Sequence, residues 1–102
     1  MRRGDVVIID HPFSDASGRK VRPVLVVSAN RDNKRLGSLI VAMVSRTAHR
    51  AGEPTQLLID PATLEGRRSG LHWVSAVICV NLFTVDRRHV LKSIGSLPPA
   101  LM

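Results

Sequence analysis

The apolar residues of this chain fall in short runs rich in β-branched side chains, and each run ends at a turn signal. Such spacing leaves little room for a helix-rich fold. Asp5 to Asp10 (DVVIID), Pro23 to Ser28 (PVLVVS), Ser38 to Val44 (SLIVAMV) and Thr55 to Ile59 (TQLLI) each predict a strand. Pro23 suits the first residue of its strand, where a missing N–H costs little. Trp73 to Val80 is almost continuously apolar, which predicts a strand buried on both faces or seated at a dimer interface. Ser93 to Gly95 predicts a last short strand.

Between these runs the chain turns. Asn30 to Leu36 predicts a short helix, with Asn30 as its cap and Gly37 as its stop. Asp86 predicts the cap of another, through Leu91. Polar loops are expected at 15–20 and 45–54, and a basic, Gly-rich loop at 64–71. No repeat or linker divides the chain, so residues 1–102 are expected to form one domain. The expected architecture is an all-β barrel with minor helices.

Composition narrows the core and the partner. With two Phe, one Trp and no Tyr, the core has to be aliphatic. Trp73 is expected in the core or at an interface. Cys79 has no second cysteine to pair with and is expected to be buried packing. Asp5 and Asp10 interrupt any signal-like apolar segment. No run approaches the ~20 apolar residues of a membrane span, so the expectation is a cytoplasmic protein with no membrane contact. Lys and Arg number 15 against 8 Asp and Glu, a net charge of +7. That excess points to a polyanion, either nucleic acid or an acidic peptide.

Two residues then become candidates for a site. The strands around Val26 and Val41 follow one another and should pair antiparallel. A register placing Ser28 opposite Leu39 also places Arg22 opposite Ser45, at the rim of the barrel. Arg22 precedes a proline, which holds its backbone extended. A guanidinium offers a planar fork of donors suited to phosphate, and the serine hydroxyl adds another. The polar loops at 15–20 and 46–50 would flank the same end. His11, His49, His72 and His89 show no metal-ligand spacing, and with Cys79 they make no zinc pattern. No cofactor or metal is expected. A histidine acid–base pair, His49 and His11 first, is the rival assignment for the chemistry.

These same residues carry a resemblance. Arg3-Gly4-Asp5-Val6, then Pro12-Phe13-Ser14-Asp15, then Lys20-Val21-Arg22-Pro23-Val24-Leu25-Val26-Val27-Ser28 is similar to the N-terminal signature of the MazF/PemK toxins. Val41-Ala42-Met43-Val44-Ser45 resembles the family's third-strand segment. Leu82-Phe83-Thr84-Val85-Asp86-Arg87-Arg88 with Ile94-Gly95-Ser96-Leu97 resembles its closing segment. The matches run in order over almost the whole chain.

The resemblance implies a mainly β fold, a small SH3-like (MazF/CcdB-type) barrel with short helices. Pro98-Pro99 stands where relatives begin a C-terminal helix, so that helix is expected to be truncated. It implies a homodimer, the toxin of a type II toxin–antitoxin system, inhibited by a cognate antitoxin peptide. The implied activity is metal-independent cleavage of single-stranded RNA. A ribose 2′-OH attacks the adjacent phosphorus, giving a 2′,3′-cyclic phosphate and a 5′-OH end. Arg22 and Ser45 take the catalytic positions, Ser45 where Thr is commoner. Asp15, Arg19, Lys20, Pro23, Arg46, His49 and Asn81 are the expected RNA-binding residues. Val80-Asn81 stands where many relatives have an acidic residue and Gln. The family view gives the Arg a part in proton transfer, although its ordinary pKa exceeds ~12. Either the pocket shifts it, or another group or water moves the protons. The alternative function is a binding module, a catalytically inactive or gyrase-targeting relative. A barrel whose charge serves solubility alone is the third.

Overall fold

The computed structural model describes residues 1–12, 19–45, 55–98 and 102, with residues 11, 12, 19 and 20 as backbone alone. The described strands form one six-stranded antiparallel sheet in the order β4-β5-β3-β2-β1-β6. They are β1 (Asp5–Pro12), β2 (Arg19–Val26), β3 (Ser38–Ser45), β4 (Gln56–Ile59), β5 (Ser75–Asp86) and β6 (Val90–Ser96). Two short helices, α1 (Asn30–Arg35) and α2 (Leu64–Arg68), and one 3-10 turn, η1 (Arg87–His89), join them.

Alternation along the strands sends side chains to two faces, and each face has an aliphatic core. Val6, Leu25, Ala42, Val44, Ile59, Val77 and Leu97 form the first. Ile59 lies on one edge strand and Leu97 just past the other, so the sheet curls round this core into a small barrel. Val7, Ile9, Val24, Val26, Leu39, Val41 and Val85 form the second, with Phe83 and Val90 packed against it. Register shifts in the β1–β6 ladder, where Ile94 and Leu91 are extra residues on β6, supply some of the bending.

Several expectations change here. The second strand starts at Arg19, so Pro23 lies within it, paired with Ile8. It is tolerated because the ladder with β3 begins only at Val24. The cap of α1 is Ala29, with no side-chain bond. Asn30 instead accepts a hydrogen bond from the Arg3 backbone N–H at 2.6 Å, tying the N-terminus to α1. The segment expected as a loop at 64–71 contains α2. Its cap, Thr63, accepts from the Gly66 N–H at 3.0 Å, and the left-handed Gly70 (φ 77°) follows its end.

The long apolar run is not buried on both faces. Its strand begins at Ser75 and continues to Asp86. Trp73 precedes it and is 63% exposed, so it is no core residue in the single chain. Cys79 is likewise exposed rather than buried packing. For Cys79 the reason is that an apolar neighbourhood in sequence is not one in space; for Trp73 the exposure leaves the interface as its expected place. Asp86 does cap, accepting from the Arg88 N–H, but the turn it starts ends at His89.

Candidate active site

Arg22 sits in β2 opposite Ile9 of β1. It shares alternation with Val24 and Val26, as Ile9 does with Val7, and all four belong to the second core. The Arg22 side chain therefore leaves the sheet on that face. It is half-buried, and its Nε is shielded from solvent. Packing of the stem restricts where the guanidinium can reach.

On β3, Val41 and Met43 pair with Val26 and Val24. The register is the one expected from the sequence, and Val27 N–H to Ile40 O (2.9 Å) continues it on the far side. Carried two residues the other way, it sets Ser45 opposite Arg22. Ser45 is half-buried and pairs with Ala76 on its other flank. Residues directly opposite one another on adjacent strands share a face, with Cβ atoms roughly 5 Å apart. The guanidinium and the hydroxyl are thus launched from neighbouring strand ends onto one surface.

A break in β5 brings a third group toward that surface. Met43 pairs with Ile78 and Ala42 with Leu82, so Cys79, Val80 and Asn81 form an insertion with no partner on β3. Across it the Asn81 Nδ2 donates to the Met43 Sδ at 3.4 Å. Met43 precedes Ser45 on the same face, so Asn81 borders the pair. Met43 itself escaped the sequence reading. The alternation from Ser45 back to Met43 could have found it.

The remaining candidates divide. Pro23 adjoins Arg22 in β2, and alternation turns it to the opposite face. Arg19 and Lys20 pair through their backbones with Pro12 and His11 at the start of β2. Asp15, Arg46 and His49 lie outside the described residues. His72 is exposed in the segment before β5, and His89 is half-buried at the end of η1. Among the described residues, no cluster of three His, Cys, Asp or Glu could hold a metal. A cavity of about 200 Å³ lies on the other face, lined by Leu25, Ala42 and Val77 of the first core. No described helix is long and apolar enough to cross a membrane.

A small curled antiparallel sheet with an excess of positive charge, presenting an arginine and a serine at adjacent strand ends, defines a small basic β-barrel protein. The chain belongs to the PemK-like, MazF-like toxin family of type II toxin–antitoxin systems, whose sequence profile it matches over residues 2–102. The endoribonuclease EndoA of Bacillus subtilis (strain 168) is 28% identical to it over 103 aligned positions, spanning 100% of this chain and 84% of EndoA. Among solved structures, a mycobacterial endoribonuclease in complex with its cognate antitoxin superimposes with a TM-score of 0.73 at 22% identity. That match covers 99% of this chain and 82% of the other. A MazE–MazF complex from Deinococcus radiodurans gives 0.71 at 19% identity, covering 99% and 84%. At these identities the two structures speak for the fold.

Proposed function

We propose that this protein is a metal-independent endoribonuclease that cuts single-stranded RNA, with Arg22 and Ser45 at the scissile phosphate. What supports it is the β2–β3 register, whose continuation two residues past Val24 and Met43 brings Arg22 and Ser45 opposite one another, in a chain of the toxin family. The 2′-OH nucleophile lies in the substrate beside the phosphorus it attacks, which supplies proximity without any protein nucleophile. As the 2′-oxygen–phosphorus bond forms, its proton leaves to a base. The 5′-oxygen–phosphorus bond breaks, and the leaving oxygen takes a proton. Charge accumulates meanwhile on the non-bridging oxygens.

Arg22 and Ser45 donate to those oxygens, a contribution that grows as the charge develops. A guanidinium stays charged throughout, so Arg22 serves as the fixed positive group. Asn81, with Arg19, Lys20, Arg46 and His49, would hold the flanking nucleotides. The active species is a homodimer, neutralised by an acidic antitoxin segment laid over the RNA groove.

Purified protein should cut single-stranded RNA in the presence of a chelator and leave 5′-OH ends. Arg22→Ala should reduce the rate at least ~100-fold, the loss typical of removing one donor to a developing oxyanion. Ser45→Ala should lower the rate too, and Ser45→Thr should restore most of it. Undiminished cutting by the Arg22 variant would dismiss the site. RNA binding with no cleavage, on varied RNA sequences, would favour the binding-module alternative.

A further inference from the structure

The strongest feature left over is a basic surface beside the site. η1 leads into Val90, which pairs with Ile9, which in turn pairs with Arg22. The end of η1 therefore begins two strand spacings, about 10 Å, from the Arg22 backbone. From there the surface continues onto α1. The Arg87 Nη1 donates to the Asn33 carbonyl at 3.2 Å, and its backbone N–H to the Gly37 carbonyl at 3.0 Å. These bonds lock η1 against α1. The bond from the Arg3 N–H to Asn30 adds the N-terminal segment to the same surface.

The charges on it are unequal. Arg88 is paired with Asp86, and Arg35 with Asp32. Arg31 and Lys34 are exposed and make no ion pair among the described residues, and they stand three apart on one helix face. Arg2, which precedes Arg3 in the chain, is exposed too. Positive charge is thus left over after the local carboxylates are satisfied. Neither Arg31 nor Lys34 lines a described cavity; the apolar one of about 200 Å³ reaches this surface only at Arg3.

We propose that Arg31 and Lys34, with the η1 edge, form a second contact for the phosphate backbone of RNA running on from the cleavage site. This rests on the ribonuclease reading above. Exposed cations with no ion pair among the described residues suit a partner recognised by charge alone, as a phosphate backbone is. An acidic peptide would also need an apolar groove to hold its side chains, and no described cavity is lined by α1 or η1. The contact would be indifferent to base sequence. It would raise affinity for long RNA without touching the bond being cut.

The test is the double variant Arg31→Gln/Lys34→Gln, with a charge-keeping control, Arg31→Lys/Lys34→Arg. Binding to a long RNA is measured over a range of salt in an Arg22→Ala background, where no cutting interferes. Cleavage of a short oligonucleotide spanning only the cut site is measured in the wild-type background. The glutamine variant should bind the long RNA several-fold more weakly and show a salt slope lower by about 1.4, from ~0.7 per lost single-strand phosphate contact. Short-oligonucleotide cleavage should be unchanged, and the control should bind as the parent does. An unchanged long-RNA affinity and slope would overturn the proposal. So would an equal loss of cleavage on short and long RNA, which would place these residues in the cleavage groove or the fold. Weakened binding of an acidic peptide with RNA binding intact would assign the surface to a protein instead. If the wild type cuts no RNA at all, the ribonuclease reading fails while the binding arm still decides this one.

Discussion

Asp86 shows how much two adjacent groups can do at an exposed turn. Its carboxylate accepts the backbone N–H of Arg88 at 2.9 Å and the Arg88 guanidinium at 3.0 and 3.2 Å. The side-chain hydrogen bond from Arg88, then the backbone one, holds the Asp86 carboxyl below its ordinary range, and the same contact raises Arg88. Because the folded-state value is depressed, the stabilisation is complete above the unfolded carboxyl pKa. It is lost as falling pH titrates the folded carboxylate, below about pH 4. NMR titration should find Asp86 below the usual aspartate value, and Arg88→Ala should move it back up. An Asp86 that titrates identically in both proteins would refute the pairing. The contact is fully exposed, so its effect on overall stability should be small.

Among the elements, α2 is the one that composition hides. Gly66 and Gly70 read as helix breakers, and both are required by close approach. A Cβ at Gly66 would lie 1.8 Å from the Asp60 carbonyl oxygen. One at Gly70 would lie 2.0 Å from that of Ile94, on a residue already at φ 77°. Gly70→Ala should therefore destabilise the protein by more than ~2 kcal/mol, the sum of left-handed strain and a backbone clash that cannot relax cheaply. Thr63→Ala should cost only about 1 kcal/mol, the usual worth of a side-chain cap. Chemical denaturation of both variants checks the order, and Gly70→Ala costing less than Thr63→Ala would contradict it. The β5 insertion is the other element no pattern announced. Its residues continue an apolar run, yet they leave the β3 ladder, with Val80 72% exposed.

For the molecule as a whole, the net charge of +7 acts in two opposed ways. It repels itself, which weakens the folded state, and it favours binding of the RNA proposed as substrate. Raising the ionic strength should lift the melting temperature modestly while RNA affinity falls steeply. A melting temperature that drops with added salt would show that local ion pairs, rather than net charge, govern the electrostatics. The two-sided core resists the repulsion. Removing its largest wholly buried side chain with Ile9→Ala should cost ~2–5 kcal/mol. The same residue lies under Arg22 in the sheet, so activity should suffer along with stability.

Strand positions, the β2–β3 register and the sign of the partner's charge could be read along the chain. Alternation and turn chemistry are local, and charge adds up without regard to folding. The proposed meeting of Arg22 with Ser45 follows from carrying that register two residues further. The exposure of Cys79 and Trp73, the helix at Leu64–Arg68 and the nearness of Asn81 to Met43 could not be read along the chain. Each depends on which distant segment arrives alongside: the Asp60 and Ile94 carbonyls at two glycines, or three β5 residues left without partners on β3. Contacts between segments far apart in sequence are made when the sheet curls, and they leave no periodicity behind to be read.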